Sequence, residues 1–172
     1  MKLVKTSATA LVLLSGLASP AFAQSSSATT TGTTTIIQPV TISQNNALAF
    51  GTLVRPTSGS SLISIGIGSD TVSATGSAVV LRGTTSRARY TVTGEGGETV
   101  SVTMPASFNL AMTGAPALPV TLARNPGGNL TLSNALGSSG TASLDIGGSF
   151  SISDATPTGA YSGSFTVSVA YN

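Results

Sequence analysis

Glu95 and Glu98 flank Gly96-Gly97, and a pair of carboxylates is the one arrangement in this sequence with the makings of acid–base chemistry. Such a pair works when the two groups face each other across a cleft and burial raises one pKa. A Glu-Gly-Gly-Glu run instead reads as a hairpin tip with both carboxylates in water. Asp145 and Asp154 are the next candidates, as calcium ligands together with loop carbonyls. No dense Asp/Asn-Gly loop of the kind calcium favours surrounds them, so they read as solvated or turn-capping acids. Arg82, Arg87 and Arg89 form the one basic cluster, and three arginines around a turn read as a solvated loop rather than a phosphate site. The chain contains no His, Cys or Trp. The usual zinc, copper and haem ligand sets therefore cannot be assembled, and His-assisted Ser or Cys nucleophiles are excluded. The reading is of a protein that is not an enzyme, with no catalytic residue, no cofactor and no metal site.

Charge narrows the partners further. Lys2 and Lys5 precede an apolar run from Ala8 to Leu17 and a small-x-small ending at Ala21-Phe22-Ala23, the pattern of a secretory signal peptide over residues 1–23. Beyond it, Arg55, Arg82, Arg87, Arg89 and Arg124 balance Asp70, Glu95, Glu98, Asp145 and Asp154. A body of zero net side-chain charge gives no electrostatic case for nucleic acid or anionic lipid. The apolar run of the signal is too short to span a bilayer and no later segment approaches 18 uninterrupted apolar residues, so no transmembrane segment is expected in the mature chain. Residues 24–172 suit one domain, and without cysteine its stability must come from burial and hydrogen bonding.

The elements that position these residues are all of one kind. From Ile36 onward, short β-type segments alternate with Gly, Pro, Asn and Ser punctuation, and the candidates include Ile36–Ser43, Thr71–Leu81, Arg87–Thr93, Ala142–Ser153 and Ala160–Asn172. Many show period two, as in Phe108/Leu110/Met112 and Leu118/Val120/Leu122, which sets one face on a core and the other in water. No segment beyond the signal sustains a 3.6-residue apolar period. The expectation is an all-β domain, and because parity resets at the Gly and Pro positions, a sandwich with Greek-key crossings is favoured over an up-and-down barrel.

The C-terminal segment has the cleanest alternation. Tyr161, Gly163, Phe165, Val167, Val169 and Tyr171 fall on one face, and Ala160, Ser162, Ser164, Thr166, Ser168 and Ala170 on the other. A slip of one residue would expose every large side chain, so the register is strongly fixed. An edge strand of this kind is an aggregation hazard unless something covers it, and receiving a strand from a partner is one solution. Alternation alone equally allows an interior strand of a complete fold.

This segment resembles the terminal strand of chaperone–usher fimbrial subunits, with Tyr171 penultimate and Gly159 fourteenth from the end. The body is similar to the secreted bacterial family catalogued as domain of unknown function 4402, itself similar to spore-coat-U-like pilin domains. The matching pieces are Leu48-Ala49-Phe50-Gly51-Thr52-Leu53, Ile146-Gly147-Gly148-Ser149-Phe150-Ser151-Ile152 and Tyr161-Ser162-Gly163-Ser164-Phe165-Thr166-Val167. The resemblance implies an incomplete immunoglobulin-like β-sandwich over residues 36–172, completed by a donated strand. It also implies a periplasmic chaperone, an outer-membrane usher, and a homopolymer at the cell surface, with Gly159 to Tyr171 as the strand that meets chaperone and neighbour.

Residues 24–35 supply the candidate donor. Nine of these twelve are Ser or Thr, too polar to build a core alone, yet the threonines are β-branched and favour an extended backbone beside a partner sheet. Even positions present Ala28, Thr30, Gly32, Thr34 and Ile36; odd positions present Thr29, Thr31, Thr33, Thr35 and Ile37. Either frame is a small-residue strand with one sizeable plug, burying less apolar area than a Val/Ile/Leu strand at about 25 cal/mol per Å2. The rival readings are a self-complete secreted surface module that binds a ligand or forms a coat, and a functional amyloid. Low charge and β-branched residues favour the amyloid, whereas the absence of a repeated unit of 20–50 residues counts against it. Mass spectrometry of the exported protein should find a chain starting at Gln24; a retained Lys2 would overturn the secretory reading.

Overall fold

The computed structural model describes residues 25–172, so the expected signal peptide at residues 1–23 lies outside the described residues. Residues 35–172 form one compact unit. Residues 25–34, outside it, carry neither strand nor helix. The compact unit holds every described strand, and no described residue is helical. No helix among the described residues is long and apolar enough to cross a membrane.

The strands are β1 (Thr41–Asn46), β2 (Ala49–Phe50), β3 (Leu53–Val54), β4 (Ser60–Ile65), β5 (Val72–Ala74), β6 (Val79–Val80) and β7 (Thr85–Ser86). They continue with β8 (Ala88–Glu95), β9 (Thr99–Thr103), β10 (Ser107–Leu110), β11 (Leu118–Asn125), β12 (Leu130–Thr131), β13 (Ser139–Ser153) and β14 (Ser168–Tyr171). All ladders are antiparallel: a large sheet ordered β1-β8-β13-β11-β10 with β4 and β5 attached to β13, a three-stranded sheet β12-β9-β14, and the short pairs β2-β7 and β3-β6.

The organising element is β13, fifteen residues long. Its apolar positions recur without a slip at Ala142, Leu144, Ile146, Phe150 and Ile152, so a single strand keeps one face on the core throughout. Along one edge, Ser139–Ile146 ladder with β8 and Gly148–Ser153 with β4, while residues 145–149 ladder with β11 on the opposite edge. Gly147 stands where the first edge changes partner. A Cβ there would run into the carbonyl oxygen of Ile65, so only glycine lets β4 close up behind β8. The core draws on both larger sheets: Val92, Val120, Leu144 and Ile146 from one and Val100 and Leu130 from the other belong to a single buried cluster. Phe50 and Phe150 meet edge to face at 4.8 Å within it.

Three expected segments come out differently. Pairing of β1 begins only at Thr41 and runs on to Asn46, not Ile36–Ser43, because Pro39 has no N–H to offer a ladder. The stretch Thr71–Leu81 is two strands, β5 and β6, divided by a turn in which Gly76 has φ +78°. The expected strand Ala160–Asn172 is laddered only over Ser168–Tyr171, with one further bridge at Ser162.

Gly147→Ala should lower stability by about 1–3 kcal/mol, the usual cost of forcing atoms into packed structure, seen as a lower urea midpoint at unchanged slope. Gly128→Ala, where an added Cβ meets nothing within 4 Å, should leave the midpoint where it is.

Candidate functional site

The last segment runs antiparallel to residues 99–111 along its length. Ala111 and Ser162 exchange two main-chain bonds of 2.8 and 3.0 Å, and Ser168–Tyr171 ladder with Thr103–Val100. Between these contacts the facing chain is broken at Met104-Pro105-Ala106, where β9 ends and β10 has not begun. The Ala106 carbonyl is turned away to accept from Leu122 N. Residues 163–167 therefore have no ladder partner. The alternation is nonetheless kept in burial: Tyr161, Phe165, Val167, Val169 and Tyr171 are half-buried while the residues between them are exposed. Gly163 is exposed and pressed so close to the Asn109 carbonyl that a side chain would collide with it. The Phe165 ring packs on Phe108 at 5.0 Å.

The other side of this segment is open. β14 is an edge of the three-stranded sheet and β1 an edge of the large one. Asn172 N donates to Thr99 O, so by the two-residue alternation of an antiparallel ladder Val169 and Tyr171 turn their main-chain groups to the open side. Beside them, β1 and its approach contribute half-buried Val40 and Ile42. The two edges come within 8 Å between Cα atoms without forming a ladder.

One polar knot ties the edges together. Tyr171 Oη accepts from Glu95 N at 2.7 Å and donates to Gln38 O at 2.7 Å, while Gln38 N donates to Glu95 Oε2 at 3.1 Å. The second carboxylate oxygen accepts from Gly137 N. The tyrosine tip fits because Gly94 has no side chain; a Cβ there would strike the Tyr171 hydroxyl.

Beyond the far end of β1, residues 48–53 and 156–163 line a cavity of about 770 Å3. Phe50, Phe150 and Ile152 form its apolar floor, with Leu48 and Leu53 on one wall and Leu110 on the other. Gly159, Ala160 and Gly163 line it as well, and it is their small size that leaves the space. The rim is fixed by Arg55 Nη1 donating to Thr156 O at 3.0 Å and by Tyr161 Oη donating to Pro157 O at 3.0 Å.

A sequence profile described as "Domain of unknown function (DUF4402)" matches residues 40–171. The chain belongs to this family. The DUF4402 match takes in both edge strands, β1 and β14, and starts after the Ser/Thr-rich tail. It bears out the resemblance read from Leu48–Leu53, Ile146–Ile152 and Tyr161–Val167. No curated protein and no solved structure matches the chain.

The other candidate residues of this DUF4402 domain are placed as follows. Glu95 is not in water at a hairpin tip: it is 2 % exposed and spends both oxygens on main-chain N–H groups. The cover comes from the loop after β12, where Gly96 N donates to Ser138 O and Gly97 N to Leu132 O, contacts too distant in sequence to be anticipated. Glu98 is half-buried. Arg87 is not a solvated loop residue either, since its side chain is only 12 % exposed and lies 3.3 Å from Asp70 and 3.2 Å from Asp145. Arg89 reaches the same two carboxylates at 3.2 and 3.5 Å, while Arg82 is exposed. Asp145 is thereby an ion-pair partner. Asp154 sits beyond the far end of β13, nine residues on, or about 30 Å of extended chain. Among the described residues no group of three His, Cys, Asp or Glu side chains could hold a metal ion. Burial pushes the Tyr90 phenol above its ordinary pKa. Of the candidate donor residues, Ala28, Thr30, Gly32 and Thr34 carry no strand, and Ile36 is 90 % exposed.

Gln38 and Glu95 are site residues that the sequence reading did not assign. Tyr171→Phe removes the acceptor of a buried Glu95 N–H and should cost about 1–3 kcal/mol, measured as a shift in the urea midpoint; an unchanged midpoint would show that the knot contributes nothing.

Proposed function

We propose that this chain is the structural subunit of an extracellular polymer: an incomplete immunoglobulin-like β-sandwich whose open slot, between β1 and the last segment, receives the N-terminal tail of a second copy. The observation that carries this reading is the pairing of two features on one edge. Main-chain groups of Val169 and Tyr171 face the open side, and the side chains of Phe165, Val167, Val169 and Tyr171 are only half-buried. An incoming strand satisfies the first and covers the second. The donor is residues 24–35 together with Ile36, extended by their threonines once a sheet edge is offered.

On this reading Gly159, Tyr161, Gly163, Phe165, Val167, Val169 and Tyr171 form the acceptor strand. A periplasmic chaperone occupies the slot during export and an outer-membrane usher passes the subunit to the surface. The sequence supports a structural rather than a catalytic role, since the chain has no His or Cys and its most buried carboxylate is committed to main-chain donors. The cavity at the wide end of the slot favours a second reading, a self-complete surface domain that takes a ligand there.

Removal of residues 24–35 separates the two. The shortened chain should fold and be captured by the chaperone, yet yield no SDS-resistant ladders on gels of surface material. Normal high-molecular-weight polymers from it would overturn strand donation. Val169→Asp, by contrast, places an unpaired charge on the apolar side at a cost of several kcal/mol, and that variant should be poorly secreted.

A further inference from the structure

The slot is not uniform, and its asymmetry specifies how a tail would lie in it. At the Tyr171 end, β1 and β14 approach within 8 Å between Cα atoms and are bridged by Tyr171 Oη to Gln38 O. A strand inserted between two others needs about 9.6 Å from one flank to the other, twice the interstrand spacing. That end is therefore closed until the flanks part. At the other end, beside residues 156–163, the slot is already open as the cavity of about 770 Å3 with Phe50, Phe150 and Ile152 beneath it.

The tail has a matching asymmetry. From Ser25 to Thr35 its residues are Ser, Thr, Ala and Gly, and the large side chains come only at Ile36 and Ile37. Ile36 is 90 % exposed and Ile37 40 %, so the side chain offered to a partner is that of Ile36, in frame with Ala28, Thr30, Gly32 and Thr34.

We propose that the cavity takes Ile36 from the tail of a second copy, with the small residues before it running along the slot toward Tyr171, antiparallel to the last segment. This rests on the strand-donation reading above. Lengths agree: residues 25–36 are twelve, as are residues 160–171, and each set spans about 40 Å when extended. Ile36 then falls where the space already exists, and only small residues enter the end that has to open. Ile36 is two residues from Gln38, which is held by Tyr171 and Glu95 of its own domain, a reach of about 7 Å. Consecutive copies must therefore abut, the closed end of one against the wide end of the next. Such a head-to-tail contact does not close on itself and builds a filament.

The absence of cysteine makes disulfide trapping a clean test. Two differently tagged full-length chains are co-assembled, one carrying Ile36→Cys and the other either Thr158→Cys at the cavity or Val169→Cys near the closed end. In ladders that form normally, Ile36→Cys should join the Thr158→Cys chain and not the Val169→Cys chain. Joining to Val169→Cys instead would overturn this orientation while leaving strand donation standing. If Ala28→Cys, Gly32→Cys and Ile36→Cys all join to neither position, both this inference and strand donation fall.

Discussion

The backbone of the last segment has hydrogen-bonding partners on one side only, and even these are interrupted. Pro105 breaks the facing chain, so Ser162 and Ser168–Tyr171 are held while residues 163–167 are not. An edge strand ordinarily tolerates this by being short, polar or charged. Here the same residues carry Phe165, Val167, Val169 and Tyr171, and no charged side chain occurs between Asp154 and Asn172. The rest of the domain is arranged so that this edge is kept in register without being covered. Gly163 sits hard on Asn109, Phe165 on Phe108, and Tyr171 is fastened at the far end by Glu95 and Gln38.

That fastening depends on a carboxylate with no chemistry left to do. Glu95 accepts from Gln38 N and Gly137 N while its own N–H goes to Tyr171, so three separate stretches of chain meet at one residue. A buried carboxylate is costly unless it is fully hydrogen-bonded, and this one is satisfied by main-chain donors. The Arg87, Arg89, Asp70 and Asp145 group serves a comparable purpose at the other end of β8, clamping the residues before β5 to β8 and β13. Five of the ten charged side chains beyond residue 23, Glu95, Arg87, Arg89, Asp70 and Asp145, thus lie where distant segments are held together.

How much of this was legible in the sequence follows from which forces are local. Period-two alternation marked β8, β11, β13 and the last segment, because a strand with one face on a core must alternate whatever its partners are. The match to the DUF4402 family was legible for a related reason, in short Gly-punctuated pieces such as Ile146–Ile152. Ladder limits were not, since they depend on the opposite strand: the break at Pro105 shortens β14, sixty residues further on. Nor was the burial of Glu95. Its neighbours Gly94, Gly96 and Gly97 look like a turn, and the loop that covers it, residues 133–138, is held over it beside the ladder of β13 with β8. The cavity was invisible for the same reason, as its walls come from four separate stretches of chain.

A tail built of Ser and Thr raises a problem that a Val/Ile/Leu strand would not have. Main-chain hydrogen bonds are nearly indifferent to sequence, and successive Thr side chains are interchangeable, so a slip of two residues along the slot would cost little. Register is weakly specified wherever a strand lacks distinctive side chains. One large residue at a fixed place removes the degeneracy, because a slip in either direction drags it out of an apolar cavity and into a narrow or exposed position. Placing it at the end nearest its own domain also couples register to the contact between domains, since Gln38 is only two residues away. A tail that is poor in apolar area can on these terms still define a single assembly geometry: the hydrogen-bonded length supplies the attachment and Ile36 supplies the position.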